Sequence, residues 1–470
     1  MDQILNEKAA ALILAAGKGT RMMSTKPKVM HKILGKPMLW YPINTFKNMG
    51  FDRTFIVAGH GRDILEAEFS DYKNDFIVQD EQLGTGHALQ ISWPAIQESG
   101  VQWLVVANGD TPLVTEEHIQ MLIDSVKASN ADGGLLTLKL DDPQNYGRIV
   151  RDGSGRVMSV IEAKDYCTDL HGSFSGEINS GVYAFKVDAL EDILFRLDQN
   201  NKQNEIYITQ LISLAYDAGL IFSAICAGDC SELLGINSPR ELCEQEEFLR
   251  KKNINFHFEQ GVTLRNSDQI RIGPEVVIEP GADICGPCEV YGQSLIGEGT
   301  TIDSHCYIEN SEIKCSNILS FSHIHNSRIG KGCSIGPFAR LRPGSVLEGG
   351  GKVGNFVEIK NSRIGINSKV NHLSYIGDAD LKESVNIGAG TITCNYDGQK
   401  KHKTIIEKNV FIGSNTALVA PVTVKSWSMV GAGSTITVDV PEDSLAIARQ
   451  KQKNLLGKNP LKKKQNKSNL

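Results

Sequence analysis

Aliphatic residues recur every six positions through the second half of the chain. The register runs through Ile272, Ile278, Ile284, Val290, Ile296, Ile302 and Ile308, resumes at Ile329, Ile335, Leu341, Leu347, Val353 and Ile359, shifts phase through Ile364, Val370 and Ile376, and reappears at Ile412, Leu418, Val424, Val430 and Ile436. Neither the period of an amphipathic strand nor that of a helix gives this spacing. A short fixed repeat is typical of a solenoid. Six-residue units that each supply one short strand and a turn predict a left-handed parallel β-helix, with three units to a coil and coils about 4.8 Å apart.

Two segments interrupt the register. Residues 309 to 328 lose the phase but keep aliphatic residues, so we expect an imperfect coil there. Residues 390 to 408 are polar and predict a loop that projects from the β-helix. Loops on a rigid scaffold are frequent carriers of function.

The first half alternates short apolar runs with amphipathic segments, which predicts an α/β domain with a largely parallel, doubly wound sheet. The predicted strands are Ala10 to Leu14, Arg53 to Val57, Trp103 to Ala107 and Gly134 to Leu140, and the predicted helices include Gly86 to Ser92, Glu116 to Ala128 and Pro239 to Lys252. We expect four segments: an α/β domain over 1–236, a helical linker over 237–260, the β-helix over 261–456 and a basic tail over 457–470. Ligands of such sheets bind beyond the carboxyl ends of the strands.

Composition narrows the class of protein. A chain of 470 residues with 41% hydrophobic and 22% charged residues is expected to fold into two or three soluble domains. The net charge of -6 predicts no general attraction to nucleic acid. The apolar run from Ala9 to Ala16 is short and follows acidic residues, so it predicts a buried strand and not a signal peptide. No run approaches a membrane span, and ten scattered cysteines fit a reducing, cytoplasmic location.

Two local features have competing interpretations. The terminal lysines Lys462, Lys463, Lys464 and Lys467 fit a solvated tail, or a contact with a polyanionic ligand such as a coenzyme phosphate. The Cys285-Gly286-Pro287-Cys288 sequence spells a redox motif, but no helix pattern follows it to activate the first thiol. A zinc site would need a second ligand pair, which the sequence does not offer at a workable spacing.

A glycine-rich segment follows the first predicted strand, from Leu14 to Met22. Small residues there allow backbone amides to approach a phosphate, and Arg21 and Lys28 can add positive charge. The spacing is neither the Walker nor the dinucleotide pattern, so the loop alone also fits a structural turn. After a second buried strand, Asp110 supplies a carboxylate that suits a metal ion or a strand-end cap.

The order of motifs resembles that of the sugar-1-phosphate nucleotidylyltransferases. The motifs are Gly17-Lys18-Gly19-Thr20-Arg21-Met22, Lys26-Pro27-Lys28, Lys36-Pro37-Met38, Gln79 to Ala88, Asn108 to Pro112, Tyr146-Gly147-Arg148, Glu162-Ala163-Lys164 and Glu177 to Gly181. With the β-helix, the chain is similar from residue 9 to about residue 450 to the family of bifunctional N-acetylglucosamine-1-phosphate uridylyltransferase/glucosamine-1-phosphate acetyltransferases. This family makes UDP-N-acetylglucosamine, a precursor of peptidoglycan and lipopolysaccharide.

The resemblance implies the roles of the residues in the first half. UTP and UDP-N-acetylglucosamine would contact Leu14, Ala15, Ala16, Gly17, Arg21, Lys28, Gln79, Gly84, Thr85, Asn108, Gly109, Asp110, Gly147, Glu162, Asn179 and Asn237. Of these, Gly147, Glu162 and Asn179 would hold the sugar, while Asp110 and Asn237 would bind Mg²⁺. Asn108 stands where the family usually has Tyr, a departure that concerns one substrate contact.

The β-helix register predicts a second site. Arg342 and Lys360 are separated by one full coil of three repeats, so they should stack on one face, where two cations favour an anion such as phosphate. Glu358 precedes His372 by a little less than a full coil, so we expect it to reach the imidazole from one coil back. A base with an orienting partner is the arrangement of acyl-transfer sites, although a single histidine is also common as a structural residue.

The resemblance assigns this second site to acetyl transfer from acetyl-CoA to glucosamine 1-phosphate. It implies that His372 is the general base and that Arg342, Lys360, Tyr375 and Asn386 hold the amino sugar phosphate. The residues implied for acetyl-CoA are Ala389, Asn395, Tyr396, Ser414, Ala432 and Arg449, with Asn395 and Tyr396 on the projecting loop. Members of the family are homotrimers through the β-helix, with acetyl-CoA bound between chains.

Three alternatives remain open from the sequence. The β-helix could serve only regulation or trimerisation of a nucleotidylyltransferase. The whole chain could be a noncatalytic assembly subunit, although the phosphate loop, Asp110 and His372 argue against that. The substrates could be a different sugar and base, such as glucose 1-phosphate and a thymidine nucleotide, but that activity would not explain the acetyl-transfer motif.

Overall fold

The computed structural model describes residues 8–229 and 231–458, and the chain divides into two compact units, Met1–Leu249 and Arg250–Leu470. The division falls within a helix, Pro239–Glu259, which lies inside the predicted linker of 237–260 and extends seven residues beyond the predicted helix end. The terminal lysines, from Lys462 to Lys467, lie outside the described residues. Across the described ranges, no helix combines the length and the apolar character needed to cross a bilayer.

The first unit is built on one mixed sheet. Its strands are β1 (Ala9–Leu14), β2 (Lys32–Ile33), β3 (Lys36–Pro37), β4 (Arg53–Ala58), β5 (Phe76–Val78), β6 (Trp103–Asn108), β7 (Gly133–Lys139), β8 (Arg148–Arg151), β9 (Val157–Ile161), β10 (Glu177–Lys186) and β11 (Phe222–Cys226), of which β2 and β3 form a separate pair. The order is β11-β7-β10-β6-β1-β4-β5, with β8 and β9 attached beside β10. Strands β6, β1, β4 and β5 are mutually parallel, so their carboxyl ends share one edge. The long strand β10 runs antiparallel to both its neighbours, which the sequence patterns did not reveal.

Helices cover both faces of this sheet, as the doubly wound prediction requires. They are α1 (Trp40–Asn48), α2 (Arg62–Glu68), α3 (Thr85–Ser99), α4 (Glu116–Ala128), α5 (Thr168–His171), α6 (Val187–Leu194), α7 (Gln210–Asp217) and α8 (Pro239–Glu259). Successive residues of β1 pack into different hydrophobic cores, Leu12 on one face of the sheet and Ile13 on the other, because neighbouring side chains of a strand point in opposite directions. Helix α4 has its predicted bounds, and α3 continues seven residues beyond its predicted end.

The second unit is a left-handed parallel β-helix of hexapeptide repeats, as the sequence predicts. Its first face contains Thr263–Arg265, Asp283–Cys285, Thr301–Ile302, Asn317–Ile318, Ser334–Ile335, Lys352–Asn355, Lys369–His372, Asn386–Ile387, Phe411–Ile412, Met429–Val430 and Leu445–Ala446. Its second face contains Ile270–Ile272, Cys288–Tyr291, Cys306–Glu309, His323–His325, Arg340–Leu341, Glu358–Lys360, Tyr375–Gly377, Ile392–Cys394, Ala417–Val419 and Thr435–Ile436. Its third face contains Val277–Ile278, Leu295–Ile296, Glu312–Ile313, Ser327–Ile329, Ser345–Leu347, Arg363–Ile364, Ala379–Leu381, Thr404–Ile406 and Val422–Val424. Most strands point an aliphatic side chain inward, and together these residues form a single continuous core.

The two interruptions of the register have different structural outcomes. Residues 309 to 328 form complete coils, in which Ile313, Ile318 and Ile324 are buried at slightly shorter spacing. The projecting loop is shorter than predicted and spans residues 395–403, because Ile392–Cys394 and Thr404–Ile406 are strands of the coil. Buried Thr391 and Thr393 take inward positions that the sequence pattern assigned to a polar loop.

The Cys285–Cys288 segment is a turn between the first and second faces, with no helix following it. Cys288 is buried, and burial raises the pKa of its thiol far above the ordinary value. A thiolate is the reactive form of cysteine, so this environment disfavours redox chemistry at Cys288. No group of three or more metal-ligating His, Cys, Asp or Glu side chains occurs in the described parts of the chain.

Candidate active sites

A cavity of about 660 Å³ opens at the carboxyl edge of the parallel strands β1, β5 and β6 in the first unit. A second cavity of about 230 Å³ shares Thr85, Asn108 and Asp110 with it. Fifteen of the predicted nucleotide- and sugar-binding residues line one or both cavities: Leu14, Ala15, Ala16, Gly17, Arg21, Lys28, Gln79, Gly84, Thr85, Asn108, Asp110, Gly147, Glu162, Asn179 and Asn237. Gly109 lies between the strand ends instead, where its amide donates to the Leu14 carbonyl at 2.9 Å. The residues that the sequence singled out therefore come together around two adjoining cavities, and their roles in binding remain a proposal.

The phosphate-loop candidate connects β1 to Lys28. Space around Gly17 is open, and a Cβ there would meet no atom within 4 Å. Gly19 has φ +60, and a side chain on it would collide with Lys28. Gly19 had no predicted role of its own; the absence of a side chain there allows the loop to pack closely on the aliphatic part of Lys28.

Gln79 and Gly84 form one side of the larger cavity. The Gln79 side-chain amide donates to the Gly84 carbonyl at 3.0 Å and lies 3.1 Å from His87 Nδ1. Gly84 has φ +112, and a Cβ at this position would collide with the Ile206 carbonyl. Thr85 begins helix α3, and its hydroxyl accepts the Ile208 amide at 3.1 Å. These contacts fix a polar wall that suits a planar base.

A cationic side chain lies between the two predicted metal ligands. Lys28 Nζ forms an ion pair with Asp110 and donates to Asn237 Oδ1 at 2.8 Å. The Lys28 and Asp110 side chains are 12% and 23% exposed, so solvent screens this pair only in part. Arg21 also donates to Asn237 Oδ1, at 3.3 Å. A carboxylate and an amide oxygen that already attract a cation fit the hard-oxygen preference of Mg²⁺.

The smaller cavity contains the predicted sugar-binding residues. Glu162 accepts a hydrogen bond from Thr209 at 2.9 Å, and burial raises its pKa despite that bond. The Asn179 side-chain amide donates to the Tyr183 hydroxyl at 2.7 Å. Thr209 and Tyr183 were not predicted as site residues, since no motif marks either one. Their hydrogen bonds hold Glu162 and Asn179 in fixed orientations.

Asn108 ends strand β6 and lines both cavities. Its side chain packs directly against Gly181, where φ is +80 and any Cβ would overlap the Asn108 amide. The departure from Tyr at this position therefore lies on the boundary between the two cavities.

The second site follows one corner of the β-helix. Corner lane is our name for His372, Ala389, Ser414 and Ala432, which precede successive turns between the first and second faces. Backbone hydrogen bonds connect these coils. The Gly390 amide donates to the His372 carbonyl at 3.2 Å, the Asn415 amide to the Ala389 carbonyl at 2.7 Å, and the Gly433 amide to the Ser414 carbonyl at 2.8 Å. Arg449 donates to the Ala432 carbonyl at the far end of the lane. Small side chains beyond His372 leave this corner accessible to a long, thin ligand.

Asn355, and not Glu358, is the side chain that contacts His372. Asn355 lies directly opposite His372 in the parallel pairing, and its Oδ1 is 2.7 Å from His372 Nδ1. Glu358 lies opposite Tyr375 on the next face and accepts a hydrogen bond from Arg342 at 2.8 Å. The expectation for Glu358 was wrong because the chain turns a corner after Asn355, which leaves Asn355 beneath His372 and carries Glu358 away to the second face.

Three cations surround a position on the second face. Arg342 follows Leu341, which pairs with Ile359, so Arg342 and Lys360 occupy adjacent rungs as predicted. The nearby Lys360 ammonium lowers the pKa of Lys401, a residue of the projecting loop that was not predicted individually. Asp378 lies 3.7 Å from Lys360; burial raises its pKa, but hydrogen bonds from Asn361 and Asn395 outweigh this effect and lower it overall. The excess of positive charge suits a phosphate group.

The remaining predicted residues lie around this position. The Tyr375 hydroxyl lies over Gly377, which is opposite Lys360 in the pairing, and a Cβ on Gly377 would collide with it. Asn395 is buried against Asp378, whereas Tyr396 is exposed on the loop. Asn386 instead lies on the first face, in register with Lys369 and Phe411.

Known proteins are similar to this chain in each unit separately and along nearly its whole length. Residues 11–146 match the model of the MobA-like NTP transferase domain, and residues 272–375 match that of the GMPPB C-terminal domain. Bifunctional protein GlmU of Nitratidesulfovibrio vulgaris strain DP4 is 50% identical over 446 residues, which cover 95% of this chain and 97% of the relative. The chain belongs to the GlmU family.

One further relative and one solved structure are also similar to this chain. The GlmU protein of Lawsonia intracellularis is 45% identical over 457 residues, covering 97% of this chain and 99% of the relative. The crystal structure of HddC from Yersinia pseudotuberculosis matches 51% of the chain with 23% identity and a TM-score of 0.38. GlmU membership makes this chain a bifunctional transferase that uses a nucleotide and acetyl-CoA as substrates.

Proposed function

We propose that the two sites perform consecutive steps in the synthesis of UDP-N-acetylglucosamine. The β-helix transfers an acetyl group from acetyl-CoA to glucosamine 1-phosphate. The first unit then joins N-acetylglucosamine 1-phosphate to UTP and releases pyrophosphate. The observation that carries this proposal is the presence, in one GlmU chain, of a polar cavity around Lys28 and Asp110 and of a corner lane that ends at His372.

In the uridylyl transfer, a phosphate oxygen of the sugar phosphate attacks the α-phosphorus of UTP, and the bond to pyrophosphate breaks. The protein needs to align the two reactants and offset negative charge, since phosphoryl transfer requires little covalent participation by side chains. Arg21 and Lys28 supply positive charge beside the open loop at Gly17. Gln79 and Gly84 form the polar wall for the uracil base, while Glu162 and Asn179 bind sugar hydroxyl and amide groups.

Asp110 and Asn237 are the residues that would hold Mg²⁺. When bound, this ion supplies charge stabilisation for the triphosphate. The donor set fits the ion, because a carboxylate and an amide oxygen already share the Lys28 ammonium. Lys28 must therefore exchange these oxygens for the nucleotide phosphates as the metal binds.

In the acetyl transfer, the neutral amine of glucosamine 1-phosphate attacks the thioester carbonyl of acetyl-CoA. A C–N bond forms, the C–S bond breaks, and His372 Nε2 accepts the proton from the amine. The proton then passes to the coenzyme A thiolate, which restores the neutral imidazole. Arg342, Lys360 and Lys401 bind the phosphate of the amino sugar, and Tyr375 lies beside it.

Acetyl-CoA extends from His372 along Ala389, Ser414 and Ala432, with Arg449 near its phosphates and Asn395 and Tyr396 on the loop side. A homotrimer completes this site. Support for association comes from the exposed ring stack of Phe321, Phe338 and Phe356, with centroids 4.8 and 5.2 Å apart, since contiguous exposed apolar surface marks interaction sites. In such a trimer, Asn386 of the first face contributes to the acetyl-transfer site from a neighbouring chain.

A coupled assay with glucosamine 1-phosphate, acetyl-CoA, UTP and Mg²⁺ tests the proposal. Product should form only when all four are present, and product without acetyl-CoA would contradict the order of steps. His372→Ala should abolish acetyl transfer and leave uridylyl transfer intact, while Asp110→Asn should do the reverse. Retained acetyl transfer in His372→Ala would overturn the role of His372. If the unsubstituted protein showed no acetyl transfer, the β-helix would be noncatalytic. If the unsubstituted protein showed neither activity, the chain would be an assembly subunit.

The nucleotide and the sugar require a separate comparison. UTP should be used in strong preference to dTTP, and N-acetylglucosamine 1-phosphate in preference to glucose 1-phosphate. Faster reaction with dTTP and glucose 1-phosphate would instead identify a thymidylyltransferase.

A further inference from the structure

Asn355 and His372 occupy equivalent positions in successive coils of the β-helix. Each residue is the last of its strand on the first face, and each precedes a residue with positive φ, Phe356 or Leu373. The amide of Leu373 donates to the Asn355 carbonyl at 3.1 Å, so the backbone as well as the side chains holds the pair in register. His372 is exposed, whereas Asn355 is half-buried beneath it.

The hydrogen bond between these side chains defines the tautomer of the imidazole. Asn355 Oδ1 is a carbonyl oxygen and can only accept, so Nδ1 of His372 must carry a proton and donate it across the 2.7 Å contact. In the neutral imidazole the other nitrogen, Nε2, is then unprotonated and can act as a base. Without this acceptor the ring can rotate and exchange tautomers, and only a fraction of molecules would present a basic Nε2.

A neutral acceptor has a second consequence. A carboxylate in the same place would favour the imidazolium and raise the pKa of the histidine, which would reduce the fraction of free base at neutral pH. Glu358, the carboxylate that the sequence spacing favoured, is ion-paired with Arg342 on the next face. The charged residues of the two strands that carry Asn355 and His372 are Lys352 and Lys369, which lie opposite each other in the register at the start of the strands. The amide thus orients the base without adding charge.

We propose that Asn355 is the positioning residue of the acetyl-transfer reaction, fixing the Nδ1–H tautomer of His372 through a neutral acceptor that adds no charge beside the imidazole. This inference rests on the proposed role of His372 as the general base. It replaces the carboxylate-assisted arrangement that the spacing of Glu358 predicted. The projecting loop and the lane residues bind substrates, while Asn355 acts only through His372.

Substitution of Asn355 in the full-length protein tests this role. Asn355→Ala should lower kcat for acetyl transfer by about 10- to 100-fold, a part of the roughly 10²- to 10⁴-fold that a positioned general base contributes, with the KM values for both substrates within about twofold. Asn355→Asp retains the acceptor and the side-chain size. It should keep most of the maximal rate but shift the acidic limb of the pH–kcat profile upward by about one unit. Uridylyl transfer by the first unit, measured in the same samples, controls for folding and concentration.

Nitrogen NMR of histidine-labelled protein provides a readout that does not depend on turnover. The His372 signals, assigned by their loss in His372→Ala, should show a protonated Nδ1 in the unsubstituted protein and mixed tautomers in Asn355→Ala. Glu358→Gln is the matched comparison, since it removes the other candidate partner; it should alter the KM for glucosamine 1-phosphate but not the tautomer. Unchanged kcat and an unchanged tautomer in Asn355→Ala, or a changed tautomer in Glu358→Gln, would overturn the inference.

The two proposals fail in different ways. Full acetyl transfer by His372→Ala removes the base itself, and with it the role of Asn355. An inactive His372→Ala together with a fully active Asn355→Ala leaves the base in place and rejects only the positioning residue.

Discussion

At the scale of single residues, the cation between Asp110 and Asn237 has a direct consequence for metal binding. Lys28 donates to the same oxygens that would hold Mg²⁺, so metal ion and ammonium compete for them until phosphates are present. We expect Lys28→Met to increase the affinity for Mn²⁺ by about tenfold in the absence of nucleotide, because a charge-assisted hydrogen bond no longer opposes the metal. Electron paramagnetic resonance of free Mn²⁺ measures this affinity.

The same substitution should weaken UTP binding, since Lys28 is also the cation for the phosphates. Lys26→Met, an exposed position on the same loop, is the matched control and should change neither affinity. Equal Mn²⁺ affinity in Lys28→Met and the unsubstituted protein would show that the lysine does not compete for the site.

Glu162 illustrates how a binding residue can reduce stability. Burial raises its pKa, so the folded protein holds a proton on Glu162 more tightly than the unfolded chain does. Its contribution to stability is therefore favourable at low pH and is lost as pH rises through the raised pKa. Glu162→Gln should increase the melting temperature of the first unit at pH 7.5 and have little effect near pH 4, as measured by calorimetry.

This gain in stability should accompany a loss of binding. The KM for N-acetylglucosamine 1-phosphate is expected to rise about tenfold, because a hydrogen bond to a charged group becomes a weaker neutral one. A melting temperature that falls equally at both pH values would show that the Thr209 hydrogen bond, and not buried charge, dominates at this position.

At the scale of elements, coil length decides which predictions succeeded. Inward isoleucines revealed the β-helix, because one large aliphatic residue per strand is needed to fill its narrow core. Coils vary in length, however: Leu341 pairs with Ile359 across three complete repeats, whereas the coils that join Ile308 to Ile324 and Ile359 to Ile376 are shorter. Arg342 and Lys360 lie within the coil of three complete repeats, so their stacking was predictable.

The partner of His372 was not predictable in the same way. Whether a residue lies beneath a given position depends on the length of that particular coil, which corner geometry sets. In the first unit, similarly, the motifs located the cavity because they follow strand ends. They gave no sign of Thr209, which is far from any motif in the sequence, or of Tyr183, which follows the Glu177 to Gly181 motif on the same strand. The antiparallel direction of β10 was also hidden, because a buried strand has the same composition in either direction.

The corner lane leads to a prediction at the element scale. Ser414 lies midway along it, exposed and next to the turn at Asn415. Ser414→Leu should raise the KM for acetyl-CoA at least about tenfold, because a larger side chain would occupy the path of the coenzyme. Ser414→Ala keeps the side chain small and should stay within about threefold of the unsubstituted protein. A similar KM for acetyl-CoA in both variants would place the coenzyme elsewhere.

At the scale of the whole molecule, the proposed homotrimer would matter for one unit and not for the other. In the first unit, the residues proposed to bind nucleotide and sugar line cavities within one chain. The residues proposed for acetyl transfer are distributed over two faces of the β-helix, with Asn386 on the first and Lys360 on the second. If a homotrimer completes only the second site, dissociation should affect only one of the two activities.

Dilution of the protein tests whether acetyl transfer requires the homotrimer. Light scattering should give a mass about three times the 51.4 kDa of the chain at high concentration, falling as the protein is diluted. Over the same range, acetyl-transfer activity per chain should fall with the trimer fraction, while uridylyl transfer per chain stays constant. Phe338→Asp should shift the fall in mass and the fall in acetyl-transfer activity to higher protein concentration. The reason is that a charge would replace one ring of the exposed stack, where Phe338 is 45% accessible. Acetyl transfer that persists unchanged in monomeric protein would show that a single β-helix carries the complete site.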